Sequence, residues 1–257
     1  MAERIETPSK SQFKQWGKLT LEKYRRQEGR FLAEGVKIVG ELLRSGRPVE
    51  TLLVSKEKAG RWGTLLAAVP AEIGIYGLSN HEWAALSQDA APEGMMAVAV
   101  MPQPPEPEFL SKAQGPLLLL YRVNNPNNLG ALLRTADWFG FRTVILSSGS
   151  AEATNPKVVR TSMGSLFHLT VVEDVDFEQL LSRLRRRFQV VGSEVREGIT
   201  PHPCTAGTAL LMGSESHGLP ASLLALTDER WRIPGRGEAD SLSLPQAAAV
   251  MMYECTR

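Results

Sequence analysis

The sequence predicts an α/β protein of two domains, the second built on a parallel sheet. Three observations lead there. Apolar strand-like runs alternate with helical patterns along most of the chain, as βα units require. Leu117–Val123 (LLLLYRV) is a continuous apolar run, the pattern of a strand buried on both faces of a parallel sheet. Between the halves, 101–116 (MPQPPEPEFLSKAQGP) places five prolines in sixteen residues. Prolines neither donate to a ladder nor continue a helix, so this stretch reads as a semi-rigid linker between domains at 1–100 and 117–257.

In the first domain, Gly35–Ser45 (GVKIVGELLRS) spaces its apolar residues along one helical face, with Gly46 as its stop. Val49–Val54 follows as a strand and Glu57–Ala68 as a helix. Glu72–Leu78 is a second strand, Asn80 stands as the cap of a short helix through Leu86, and Met95–Val100 closes the domain as a strand. In the second domain a helix is expected from about Leu129 to Phe139, with strands at Thr143–Leu146 and Leu166–Val172. Phe177, Leu180, Leu181, Leu184 and Phe188 mark one face of a further helix. Gln189–Gly192, Ala209–Met212 and a short Trp231–Ile233 complete the strands, and Leu244–Glu254 is an apolar final helix.

Hydrophobic residues make up 43% of the 257 and charged residues 22%, ordinary values for a globular chain. The net charge is +1, so affinity for a polyanion must come from a local patch. Lys10–Arg47 offers one, with ten Lys or Arg against four Glu, including Lys18, Lys23, Arg25, Arg26 and Arg30. Trp16, Tyr24 and Phe31 are interleaved, giving rings for unpaired bases beside cations for phosphates, although a solvated face has the same composition. The run Arg183, Arg185, Arg186 and Arg187 reads as the solvated side of an amphipathic helix.

Cys204 and Cys255 sit in no metal-ligand spacing and are expected as two reduced thiols. The four histidines are scattered, so no metal site is expected. The opening residues carry no apolar core of a signal peptide, and no run approaches the roughly 20 apolar residues of a membrane span. No membrane contact and a cytoplasmic location are therefore expected.

Three segments carry the chemistry: Asn124–Phe141, Leu210–Leu219 and Ile233–Glu254. Each follows a strand-like run, and loops at the carboxyl ends of parallel strands are where open α/β sheets bind ligands. In the first, Asn124, Asn125, Asn127 and Asn128 surround Pro126, which serves a tight strand-to-helix turn with Asn128 as cap. Arg134, six positions on, adds a permanent cation at the same strand mouth. In the second, Gly213-Ser214-Glu215-Ser216-His217-Gly218 lacks the G-x-S-x-G of a nucleophile elbow. It reads instead as a glycine loop that lets a ligand approach backbone amides. In the third, Gly235 and Gly237 form only a partial dinucleotide fingerprint, and no P-loop occurs in the chain. Ala247, Ala248 and Ala249 suit close helix packing, in the core or against a partner subunit.

Together the segments resemble the three signature motifs of the SpoU/TrmH-type RNA 2′-O-ribose methyltransferases of the SPOUT superfamily. The first motif is Pro126-Asn127-Asn128-Leu129-Gly130 with Arg134-Thr135-Ala136. The second is Gly213 to Gly218 with Glu215, and the third Ile233-Pro234, Ser241-Leu242-Ser243 and the helix from Ala247. Residues 25–35 (RRQEGRFLAEG) resemble the entry of the family's accessory RNA-binding domain.

The resemblance implies a doubly wound α/β domain with a deep C-terminal trefoil knot, preceded by a small α/β RNA-binding domain. It also implies a homodimer that uses S-adenosylmethionine to methylate RNA, ribosomal RNA foremost. Gly213, Ile233 and Leu242, with Met212 and Ser243 beside them, match positions that hold the cofactor. Arg134 matches the residue proposed to activate the ribose hydroxyl. A guanidinium stays protonated, so it is expected to clamp a substrate phosphate and the developing oxyanion, while phosphate or solvent takes the proton. Asn128 would orient the loop, and Glu215 and Ser241 would shape the pocket. The family's usual Asn in the third motif is Ser243 here, which keeps a hydroxyl and loses the amide's donors. The competing readings are a non-catalytic RNA-binding protein on the same fold and a transfer-RNA methyltransferase.

Overall fold

The computed structural model describes residues 4–103, 110 and 113–257, so half of the expected linker at 101–116 lies outside the described residues. The contacts divide the chain into two units, one of Met1–Gln103 with Thr154–Phe167, the other of Pro104–Ala153 with His168–Arg257.

The first unit is a five-stranded mixed sheet of β1 (Ile5–Glu6), β2 (Arg30–Glu34), β3 (Val49–Ser55), β4 (Gly74–Leu78) and β5 (Met95–Val100) in the order β1-β4-β3-β5-β2. Helices α1 (Lys10–Lys18), α2 (Glu22–Glu28), α3 (Val36–Arg44), α4 (Gly63–Ala67) and α5 (Asn80–Leu86) accompany it. The cap of α5 is Ser79 rather than Asn80: its hydroxyl accepts from Glu82 N at 3.4 Å while the Glu82 carboxylate accepts from Ser79 N at 2.8 Å. A single helix over 57–68 does not form, and a short 3₁₀ turn, Ala59–Trp62, precedes α4. Within this unit the Phe167 carbonyl accepts from Arg47 Nε at 2.9 Å, and the Phe167 ring lies 6.4 Å from that of Phe31.

The second unit is a six-stranded, wholly parallel sheet. Its strands are β6 (Leu117–Leu120), β7 (Thr143–Ser147), β8 (Thr170–Val175), β9 (Gln189–Ser193), β10 (Thr208–Met212) and β11 (Glu229–Trp231), ordered β11-β9-β10-β6-β7-β8. The four leucines of β6 are 0% exposed, each contributing about 1.5–3 kcal/mol by burial, which accounts for the uninterrupted apolar run. Helices α6 (Pro126–Trp138), α8 (Phe177–Leu184), α9 (Ala221–Leu224) and α10 (Leu244–Thr256) cover this sheet's unit, while α7 (Pro156–Thr161) belongs to the first. Phe177, Leu180, Leu181 and Leu184 bury the expected face of α8.

Several strands begin or end elsewhere than expected: β6 stops at Leu120 rather than Val123, β4 begins at Gly74 rather than Glu72, and two others differ further. Leu166 and Phe167 are buried in a 3₁₀ turn, Ser165–His168, and β8 starts only at Thr170. The last strand stops at Trp231, beyond which Arg232 N donates to the Ile199 carbonyl of a loop that covers the sheet edge.

Along the chain, β6, β7 and β8 proceed one way across the sheet, whereas β10 returns to the other side of β6. The order thus reverses between β6 and β10, a switch point at whose carboxyl ends a crevice for ligand is expected. The two strands end level, with Leu120 opposite Met212 and Tyr121 N donating to the Met212 carbonyl at 2.9 Å.

Candidate active site

The segment after β6 is held by side chains that the sequence reading did not single out. The Ser147 hydroxyl, at the end of β7, accepts from Arg122 N at 2.9 Å, and the Ser150 hydroxyl accepts from Val123 N at 3.3 Å. Arg122 sits at φ 51, a left-handed conformation that costs a non-glycine residue about 1–2 kcal/mol. Serines at or just past a strand's carboxyl end were the available signal. Helix α6 is capped by Asn125, not Asn128: its side-chain oxygen accepts from Asn127 N at 2.9 Å and from Asn128 N at 3.4 Å. Pro126 fills the first helical position, where its missing N–H costs nothing.

Released from capping, Asn128 turns its amide to the second segment and donates to the Glu215 carboxylate at 2.6 Å. This bond spans 87 residues and joins the loops that follow β6 and β10. Arg134 is exposed on α6, and among the described residues it has no hydrogen-bond or ion-pair partner. Its exposed neighbour one turn on is Trp138.

The loop Gly213–Gly218 folds back on itself. Gly218 N donates to the Ser214 carbonyl at 2.9 Å with Gly218 at φ 63, and Gly213 N reaches the Ser193 hydroxyl at 3.4 Å. A Cβ on Gly213 would lie 2.2 Å from the Gly218 carbonyl carbon, so only glycine fits there. Met212, before it, is buried at the end of β10.

In the third segment, no hydrogen bond joins 234–240 to any other described residue. Ile233 is half-buried, Leu242 is 46% exposed and Ser241 is exposed. Ser243 is the N-cap of α10, with its N–H donating to Gln246 Oε1 at 3.3 Å. Serine in place of asparagine therefore keeps one of the preferred helix caps.

A close-approach glycine at a strand end, and apolar Ile233 and Leu242 flanking a stretch with unbonded backbone amides, are of the chemistry that a nucleoside cofactor requires. Among the described residues there is no cluster of three or more His, Cys, Asp or Glu that would hold a metal, and no helix is long and apolar enough to cross a membrane.

The basic patch of the first unit sorts into unequal parts. Arg25 is 2% exposed and donates to the Leu19 carbonyl at 2.9 Å, so it fixes the turn between α1 and α2 and is not a surface phosphate contact. Trp16 and Phe31 are buried and offer no ring to a base. Arg26 pairs with Glu22 at 2.9 Å and Arg30 with Glu50 at 2.7 Å. Lys18 and Lys23 flank the half-exposed Tyr24, their ammonium groups 5.3 and 5.9 Å from its ring centre.

The cysteines are not two separate thiols. Cys204 and Cys255 are joined as a disulfide, and Cys204 N donates to the Cys255 carbonyl at 2.9 Å. Their separation of 51 residues hides the pairing from sequence spacing.

Comparison with known proteins matches both parts of the chain. The SpoU rRNA Methylase family matches residues 116–253, and the MRM3-like substrate binding domain matches residues 10–97. The chain is 33% identical to the 23S rRNA (guanosine(2553)-2′-O)-methyltransferase RlmP of Bacillus subtilis, over 97% of this chain and 98% of that one. It is 29% identical to the 23S rRNA (uridine(2479)-2′-O)-methyltransferase of Streptomyces viridochromogenes, covering 100% and 92%. The crystal structure of the SpoU methyltransferase AviRb from Streptomyces viridochromogenes, in complex with the cofactor AdoMet, superposes with a TM-score of 0.82 at 28% identity, over 96% and 97% of the chains.

Proposed function

The chain belongs to the SpoU rRNA methylase family, and we propose that it methylates a ribose 2′-hydroxyl of ribosomal RNA with S-adenosylmethionine as donor. The observation that carries the proposal is the Asn128–Glu215 bond, which joins the loops after β6 and β10 at the switch point; Arg134, on the same helix as Asn128, has no partner among the described residues. Gly213, Ile233 and Leu242, with Met212 and Ser243, would hold the cofactor, which when bound supplies an electrophilic methyl group.

The protein's own residues do the rest. Arg134 holds a substrate phosphate and stabilises negative charge as it develops on the ribose oxygen, without itself losing a proton. The phosphate or solvent takes that proton. Glu215 fixes the amide of Asn128, so the loop keeps its orientation while RNA docks, and Ser241 lines the mouth. Lys18 and Lys23, with Tyr24 between them, would supply phosphate contacts and a stacking ring in the first unit, joined by Arg26 and Arg30 where RNA displaces their acidic partners.

The proposal includes a knotted C-terminal segment, a homodimer and a cytoplasmic location, where ribosomal RNA is. Support for the dimer comes from an apolar face on α6 and α10. Trp138 is 83% exposed and Tyr253 52%, with the Phe139 and Tyr253 rings 6.3 Å apart. A second copy would cover it.

Calorimetry with S-adenosylmethionine, followed by methyl incorporation into ribosomal RNA from cells lacking the gene, tests the function. Arg134→Ala should lower turnover by about 10²–10³ and leave cofactor affinity within a few fold. Failure of the intact protein to bind the cofactor would leave only the RNA-binding reading.

A further inference from the structure

Among the described residues, the segment 232–243 is hydrogen-bonded only near its ends, at Arg232 and Ser243. On one side lies β11, whose Trp231 is fully buried, and on the other lies α10. Both anchors are tied to the same short loop, around residues 202–204. The His202 ring lies 5.2 Å from that of Trp231 and shares a hydrogen bond of 3.1 Å with Glu229 of β11, whose carboxylate also accepts from Trp231 Nε1 at 3.1 Å. Two residues on, Cys204 is bonded to Cys255 in the last turn of α10. The chain from Glu229 through 232–243 to Cys255 is thereby closed into a ring through Cys204 and His202. The covalent loop from Cys204 to Cys255 encloses both the Gly213–Gly218 and the Ile233–Ser243 segments.

We infer that Cys204 and Cys255 form a reversible oxidative modification site, a thiol–disulfide clamp that sets the spacing of the two ends of the 232–243 segment and with it the affinity for cofactor. The inference rests on the methyltransferase reading of that segment. Cys204 is half-exposed and Cys255 is 4% exposed, so exchange begins at Cys204. The co-reactant is a low-molecular-weight disulfide such as oxidised glutathione. The Cys204 thiolate attacks one of its sulfurs and one glutathione thiolate leaves. The Cys255 thiolate then displaces the second glutathione from the mixed disulfide. Two cysteine thiols are oxidised and one glutathione disulfide is reduced to two thiols, which take up the two protons released. Reduction is the reverse. A disulfide in a cytoplasmic protein is more often redox-sensing than structural.

Anchoring both ends of an otherwise unbonded segment removes part of the ordering cost of binding, so the oxidised form should bind more tightly.

The test uses the full-length protein equilibrated with excess reduced or excess oxidised glutathione. Alkylation and intact mass should show two modified thiols in the first case and none in the second. Trypsin cleavage after Arg236, within the segment, should be several-fold faster in the reduced form. The two fragments should stay joined in the oxidised form, because the cut lies inside the covalent loop. S-adenosylmethionine should bind the oxidised form tighter by on the order of fivefold, and the double variant Cys204→Ser with Cys255→Ser should match the reduced form under both conditions. Two free thiols in oxidised glutathione, or equal cleavage and equal affinity in both forms, overturn the clamp. Redox-dependent cleavage with no cofactor binding in either form overturns the methyltransferase reading and leaves the clamp standing as a property of the segment.

Discussion

The Asn128 amide donates to the Glu215 carboxylate at 2.6 Å, across 87 residues of chain. Two loops whose sequences look like separate turns are one structural unit. Each side chain holds the other, so either substitution alone should break the link between the loops. We expect Asn128→Ala and Glu215→Ala each to lower kcat/KM for RNA by about tenfold or more, and the double variant to be little worse than either. A double-mutant cycle checks this, with a coupling of about 0.5–3 kcal/mol as the expected signature of a direct contact. Additive losses would mean that the two side chains act independently.

Gly213 and Gly218 stand five residues apart and should respond differently to alanine. At Gly213 the new Cβ would meet the Gly218 carbonyl carbon at 2.2 Å and Leu219 N at 2.5 Å, both backbone atoms. The loop must move, and we expect a loss of at least about 1–3 kcal/mol together with loss of cofactor binding. At Gly218 no atom lies within 4 Å of a Cβ and the only penalty is φ 63, worth about 1–2 kcal/mol. Urea unfolding and calorimetry separate the two, with cofactor affinity retained in Gly218→Ala.

Much of this architecture is legible in the residues, for reasons that also explain the rest. Strand β6 and helix α8 announce themselves because burial forces a pattern: four leucines in a row, or apolar residues at positions 177, 180, 181 and 184. Leu166 and Phe167 carry the same apolar signal but are buried in a turn, since burial does not specify backbone conformation. Asn128 was visible as a cap candidate, yet Asn125 takes the cap and frees it, a choice made by helix geometry three residues earlier. The charge of Arg25 is plain in the sequence, whereas its inward direction depends on the turn at Leu19. The cysteine pairing depends on where α10 ends in space, which no local pattern encodes.

His202 gives the second unit a pH-dependent contact. Both ring nitrogens face acceptors, the Pro203 carbonyl at 3.1 Å and the Glu229 carboxylate at 3.1 Å, and only the imidazolium can donate to both. The Pro203 carbonyl first, and then Glu229, raise its pKa from the ordinary 6.5. A raised folded-state pKa means that the folded form holds the proton more tightly than the unfolded form. The contribution is therefore complete below the ordinary value and is lost as pH rises through the raised one. The pair is partly exposed and screened by solvent, so it is worth less than about 1 kcal/mol. Melting curves of the wild type and His202→Gln should differ most at acidic pH and converge on the alkaline side. A gap that widens with rising pH would contradict the assignment.

Lys18 and Lys23 differ from Arg25 in a way that sequence position conceals. The two lysines stand over the half-exposed ring of Tyr24, Lys23 exposed and Lys18 half-exposed. Replacing both by alanine should weaken RNA binding and lower the slope of log affinity against log salt by about 0.7–0.9 for each lost phosphate contact, with stability nearly unchanged. Tyr24→Ala should weaken binding to unpaired RNA with little change in that slope, because stacking releases no counterions. Arg25→Ala should do the opposite of the lysine pair. It strips the buried Leu19 carbonyl of its donor, so the first unit should lose at least about 1–3 kcal/mol of stability. RNA affinity measured well below the melting temperature should then keep its salt slope. Filter binding over a salt series, paired with thermal denaturation, tells these cases apart. A salt slope that falls in Arg25→Ala would place that guanidinium on the RNA after all.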